Sequence, residues 1–202
     1  MNLDLVHALA LAAALGWASG LRLYLVVFLT GLAGTLGWVA LPPGLAVLQN
    51  PWMLGASGTM LVVEFFVDKI PGVDTLWDVL HTAIRIPAGA ALAAAAFGGD
   101  TATWTTIAAL LGGTLAATSH AAKATTRAAI NTSPEPFTNI GASLFGDGVV
   151  PVVLWLAWAH PVAALVVVAL AVAVSVWICV VLGRFLKSLV QRLRQRPLVL
   201  AR

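Results

Sequence analysis

The chain has 202 residues, 60% of them apolar and only 9% charged, with a formal net charge of +3 and a pI near 9.6. Soluble domains carry about 25% charged residues, so this composition excludes a soluble globular protein and points to an integral membrane protein. The basic pI does not signal nucleic-acid binding, because five of the eleven lysines and arginines lie within Arg184 to Arg196, directly after an apolar run, where they suit anionic lipid headgroups.

The N-terminus, Met1-Asn2-Leu3-Asp4, lacks the positive region of a signal peptide, so the small residues Ala18-Ser19-Gly20 are not read as a cleavage site. A bilayer crossing needs about 20 apolar residues. Candidate spans in chain order are 21–39, 52–69, 82–98, 104–125, 139–159 and 162–184. Breakers separate them at Pro42-Pro43-Gly44, Asn50-Pro51, Pro71-Gly72, Gly98-Gly99-Asp100, Ser133-Pro134-Glu135-Pro136 and His160-Pro161. Residues 3–18 form a seventh span, a re-entrant half-helix, or the first half of one long helix broken at Gly20. The expected fold is all-α: a polytopic transmembrane bundle over 1–186 and a basic cytoplasmic tail over 187–202. The single cysteine, Cys179, leaves no disulfide framework and no cysteine-based zinc site.

Orientation follows from the cations. Arg184, Lys187, Arg192, Arg194, Arg196 and Arg202 place the C-terminus in the cytoplasm of an inner (plasma) membrane protein. Alternating spans then put Arg22, Lys69, Arg85, Lys123 and Arg127 at inner ends as well, while Trp38, Trp52, Trp104 and Trp158 fall at outer ends as an aromatic belt.

Three charged sets stand out. Glu64 and Asp68 are one helical turn apart, with Lys69 beside them, and Glu64 sits within Leu61-Val62-Val63-Glu64-Phe65-Phe66-Val67. A charge inside a span costs about 2.5–3.5 kcal/mol even on the lenient insertion scale, so it faces a partner or a cavity. Asp74, Asp78, His81 and Arg85 are spaced 4, 3 and 4 and share one helical face. An amphipathic helix on the membrane surface would also show that spacing, although such helices carry Lys and Arg rather than two aspartates. His120, Lys123 and Arg127, spaced 3 and 4, share a face among small residues. Beyond them come Glu135 in a Pro-rich turn and Asp147 between Gly146 and Gly148, where the helix is able to unwind along a cavity. Setting the acidic face against the basic face predicts one polar hub of Arg22, Glu64, Asp68, Asp78, His81, Lys123, Arg127 and Asp147, open to the cytoplasm.

A weak internal echo pairs Gly58-Thr59-Met60-Leu61 with Gly113-Thr114-Leu115-Ala116, and Ala18-Ser19 plus Arg22 with Ala142-Ser143 plus Asp147. Transporters often carry such repeats.

The charged stretches also carry a resemblance. Ser19-Gly20-Leu21-Arg22, Glu64-Phe65-Phe66-Val67-Asp68-Lys69-Ile70-Pro71-Gly72-Val73-Asp74, Asp78-Val79-Leu80-His81, His120-Ala121-Ala122-Lys123 with Arg127, and Ser133-Pro134-Glu135-Pro136 resemble the domain-of-unknown-function 4126 family of membrane proteins. The resemblance spans nearly the whole chain and implies an all-helical membrane protein without a settled activity. The family pattern carries an acidic pair where this chain reads Gly146-Asp147.

The residues point first to a small transporter or channel-like protein. Its solute is a small charged molecule or a lipid headgroup, and His81 and His120 are available for proton exchange. Arg22, Glu64, Asp68, Lys69, Asp74, Asp78, His81, Arg85, His120, Lys123, Arg127, Glu135 and Asp147 are the candidate binding residues; none is assigned a catalytic role and no cofactor is required. A second reading is a lipid-phosphate enzyme in which Asp68, Asp74, Asp78 and His81 hold Mg²⁺ and Lys123 and Arg127 bind phosphate. A third is a structural or accessory subunit whose ion pairs only specify packing. Expected partners are the lipid bilayer, anionic lipids at the tail and the solute, without nucleic acid; a homo-oligomer is compatible with the sequence.

Overall fold

A computed structural model describes residues 4–98, 102–133 and 136–194; Glu135, Arg196 and Arg202 lie outside the described residues. All regular structure among the described residues is helical: α1 Leu5–Thr35, a 3-10 turn Pro43–Gln49, α2 Pro51–Val67, α3 Val73–Ala96, α4 Ala102–Ile130, α5 Pro136–Ala159 and α6 Pro161–Arg194. By length and composition, α1, α3, α5 and α6 are able to cross a membrane, and α2 is a shorter apolar helix. The chain is a multi-pass membrane protein on that basis.

Prolines open α2, α5 and α6, where a missing N–H costs nothing. Asn50 accepts from the Trp52 amide at 2.8 Å and caps α2. Between α2 and α3 the chain reverses at Gly72, whose φ of 85° is open to glycine. The expected spans differ from the helices mainly at two places. Helix α3 begins at Val73 rather than near 82, because the acids of its first turns are buried against cations and do not stop it. Residues 3–18 do not form a separate element. The described part is the first limb of α1, and the break is at Arg22 (φ −145°, ψ 75°) rather than at Gly20.

That break sets the architecture. In the first limb, Gly16 lies against Gly112, and Gly20 against Ala116 and Ser119, so the limb runs in the same sense as α4. In the second limb, Phe28 lies against Gly58, and Gly31 against Leu48 and Leu54, so the limb runs opposite to α2. Helices α2 and α4 both descend to the charged cluster. The two limbs of α1 therefore recede from an apex at Arg22, as the arms of a helical hairpin do. Close approach depends on small residues. Gly16, Gly89 and Gly112 bring the backbones of α1, α3 and α4 together without intervening side chains.

Helix α1 is the buried centre, from Ala8 to Gly31. The outward faces of α3 and α6 carry Leu76, Val79, Leu80 and Ile84, and Val162, Val166, Leu170, Val174 and Trp177, all exposed in the way a lipid-facing surface is.

Candidate functional site

The sequence placed two acidic sets and a basic set on neighbouring helices; the structure interlocks them. Asp74, Asp78, His81 and Arg85 are all buried, while Leu76, Val79, Leu80 and Ile84 between them are exposed. The surface-helix alternative for this segment is thereby corrected: its polar face turns inward, because acids and cations from other helices are there to meet it.

Arg85 is the centre of one arm. Its Nη2 donates to Glu64 Oε1 at 2.5 Å and its Nη1 to Asp78 Oδ1 at 2.8 Å. Glu64 and Arg85 are fully buried and Asp78 is 1% exposed. Lys123 bridges to a second arm, 3.0 Å from Asp78 Oδ1 and 2.8 Å from Asp68 Oδ2. Asp68 also pairs with Arg22 at 2.5 Å. Arg22, at the apex of α1, reaches Asp147 at 3.0 Å and donates to the Ser143 hydroxyl at 2.6 Å and the Ser143 carbonyl at 3.1 Å. The two members of the internal echo, Arg22 and Asp147, thus meet directly. Lys69 lies 3.7 Å from Asp147, over the Phe65 ring, and is 18% exposed. A satellite pair joins Arg127 to Asp74 at 3.5 Å, with Arg127 Nη1 donating to the Asn139 carbonyl at 3.0 Å. Asp74 Oδ1 also accepts from the Gly72 and Thr75 amides and from Asn131, tying the α2–α3 turn to the end of α4.

The histidines flank this chain of charges. His120 Nδ1 lies 3.3 Å from Arg85 Nη1 and Nε2 2.8 Å from Thr82 Oγ1. A guanidinium is donor-only, so Nδ1 accepts, Nε2–H donates to Thr82, and Thr82 donates on to the Asp78 carbonyl. His81 stacks on Trp77, donates from Nδ1 to the Trp77 carbonyl at 2.9 Å, and faces the Tyr24 hydroxyl at 3.2 Å.

Of the expected site residues, Arg22, Glu64, Asp68, Asp78, Lys123 and Asp147 are joined by direct pairs, and Lys69 and Arg85 belong with them. Asp74 and Arg127 form the adjoining pair. Glu135 lies outside the described residues. The proposed Mg²⁺ ligand set does not assemble: no group of three or more His, Cys, Asp or Glu fit for a metal occurs among the described residues. Asp68, Asp74 and Asp78 each turn to a cation, and His81 turns to Tyr24 and Trp77. Sequence reasoning did not single out Tyr24, Thr82 or Ser143 as partners. Ser143 had a legible signal, since it precedes Asp147 by one turn.

One cavity adjoins the network. It has a volume of about 430 Å³ and lies between α1, α4, α5 and α6. Its charged lining is Arg22, Asp68, Lys123 and Arg127; Phe145, Val149, Leu170, Val174 and Ile178 form apolar walls, and because Phe145, Leu170 and Val174 are exposed the cavity opens toward the outward face of α5 and α6.

A family model described as a domain of unknown function, DUF4126, matches residues 9–180, and the chain belongs to that family. No curated protein and no solved structure matches the chain.

Proposed function

We propose that this member of the family is an inner-membrane carrier or channel-like protein that binds a small charged solute or lipid headgroup at its buried charge network, from the cytoplasmic side. The cavity bordered by Arg22, Asp68, Lys123 and Arg127 carries the reading. Ionisable groups at membrane depth are costly and mark solute pathways when they border a cavity. A packing role alone accounts for Glu64, Arg85 and Asp78, which are sealed. It does not account for cations on a cavity wall.

The apex at Arg22 supports the same reading. Broken helices bring backbone polarity and charge to the binding sites of secondary transporters, and here the non-helical residue itself bears the guanidinium. Side assignment rests on the cations, since all eleven lysines and arginines fall at one end of the proposed spans. Six crossings plus the first limb of α1 as a seventh, with a cytoplasmic C-terminus, is the topology proposed. For a proton-coupled cycle the groups proposed are His81 and His120.

The test is flux of charged solutes and headgroup-bearing lipids in proteoliposomes, with Lys123→Ala and Glu64→Gln checked for folding. Flux abolished by Lys123→Ala in a folded protein is the expected result. Flux unchanged by both substitutions, or no charged species bound or moved by the parent chain, overturns the reading.

A further inference from the structure

Resting on that reading, the geometry points to a narrower ligand class. We propose that the cavity takes a single-chain amphiphilic anion, with its phosphate or carboxylate against Lys123 and Arg127 and its alkyl chain along α5 and α6. Three observations carry this. The lining holds three cations and one acid, and that acid, Asp68, is already held by Arg22 and Lys123, so it presents no unpaired charge to repel an anion. Among the described residues Arg127 is the least committed guanidinium: its Nη1 donates to the Asn139 carbonyl at 3.0 Å, and its one acidic partner, Asp74, stands 3.5 Å from that same nitrogen. Most of the remaining wall is apolar (Phe145, Val149, Leu170, Val174, Ile178), with the hydroxyls of Thr126, Ser143 and Ser175 also lining it, and the cavity, at about 430 Å³, is the size of a small-molecule site.

Each part of the cavity excludes a simpler ligand. A small hydrophilic anion would meet the cations and leave the apolar wall unused. A neutral lipid would fill the wall and leave Lys123 and Arg127 without an added partner. An amphiphilic anion satisfies both, and its source is either the bilayer or free molecules in solution.

The test uses the full chain in neutral detergent and native mass spectrometry. The probes are dodecyl phosphate, a lysophosphatidic acid, dodecanol and inorganic phosphate at equal concentrations. One saturable adduct with dodecyl phosphate or lysophosphatidic acid is expected, at least tenfold tighter than with dodecanol or inorganic phosphate. Lysophosphatidic acid bound at least tenfold tighter than dodecyl phosphate would mark a glycerolipid headgroup as the ligand, and equal binding marks the phosphate and single chain that the two share. Lys123→Met and Ala171→Trp, the latter filling the apolar wall away from the charges, each weaken that adduct at least tenfold, while Lys123→Arg retains it. If Lys123→Met does not fold, Ala171→Trp decides. Inorganic phosphate bound as tightly as its dodecyl ester overturns the amphiphile and leaves the charged-solute reading standing. Dodecanol bound equally, absence of any amphiphile adduct, or indifference to Ala171→Trp also overturns it. An amphiphile that binds as described but is not moved in proteoliposomes refutes the carrier and leaves this inference intact.

Discussion

Replacing Arg85 by methionine keeps a flexible, unbranched side chain but shortens it and removes the guanidinium, with its charge and its donors. In the structure Arg85 faces Glu64 at 2.5 Å and Asp78 at 2.8 Å, and all three are at most 1% exposed. The two acids are affected unequally. Asp78 keeps Lys123 at 3.0 Å, whereas Glu64 pairs only with Arg85 among the described residues. The loss is therefore that of one buried ion left alone, about 3–5 kcal/mol, rather than twice that figure. Adding Glu64→Gln removes the orphaned charge, so the double variant should recover about 2 kcal/mol or more of the loss. Equilibrium unfolding of the two single variants and the double variant in mixed SDS micelles supplies the cycle. A coupling below about 0.5 kcal/mol, the scatter expected of independent sites, would refute the sealed-pair argument. So would an Arg85→Met variant as stable as the parent.

Three further outcomes are expected. Gly112→Ala drives a methyl group into Ala93 and the Gly89 backbone and should cost about 1–3 kcal/mol, while Gly55→Ala, which meets nothing, should be neutral or stabilise α2 by about 0.5–1 kcal/mol; thermal unfolding compares them. In a Cys179→Ser background, a cysteine at Asp4 should react with a membrane-impermeant maleimide from the side opposite to one at Ser188, since both limbs of α1 recede from the charged apex; labelling from one side refutes the proposed topology. Hydrogen bonds from the His7 amide and ring hold the Asp4 carboxyl below its ordinary range. Its cap on α1 should therefore be fully present above the ordinary carboxyl range and fade only as pH falls through the lowered value, read as loss of exchange protection at the His7 amide.

Spacing made the two charged faces legible, because a buried polar stripe obeys the same 3.6-residue period as a buried apolar one. Asp74, Asp78, His81 and Arg85 show this directly: the apolar residues between them point outward. Hydropathy alone misplaced the start of α3, since it penalises acids whether or not a cation neutralises them in the fold. The apex at Arg22 was harder to foresee. Gly20 signalled a break nearby, but nothing in Leu21-Arg22-Leu23 itself places it at Arg22 or makes it a reversal. The bend is fixed by what the guanidinium reaches, Asp68 from the end of α2 and Ser143 and Asp147 from the first turns of α5, and such long-range partners leave no trace in local sequence. The roles of Tyr24 and Thr82 were hidden for the same reason: each meets a histidine on a different helix.

The network also suggests how a ligand could bind without stranding a charge. Five acids (Glu64, Asp68, Asp74, Asp78, Asp147) and five cations (Arg22, Lys69, Arg85, Lys123, Arg127) cancel, so the unliganded cluster carries no net formal charge. Exposure rises along it, from 0% at Glu64 and Arg85 to 9% at Lys123 and 18–19% at Lys69 and Asp147. Lys123 stands where sealed meets open, shared between Asp68 and Asp78. If its ammonium swings toward an anion in the cavity, Asp68 still has Arg22 and Asp78 still has Arg85. No buried carboxylate is left alone at any point, so the several-kilocalorie penalty that rigidly locks Arg85 in place does not oppose movement of Lys123. The same pairing rule that makes one cation structural leaves its neighbour free to exchange partners.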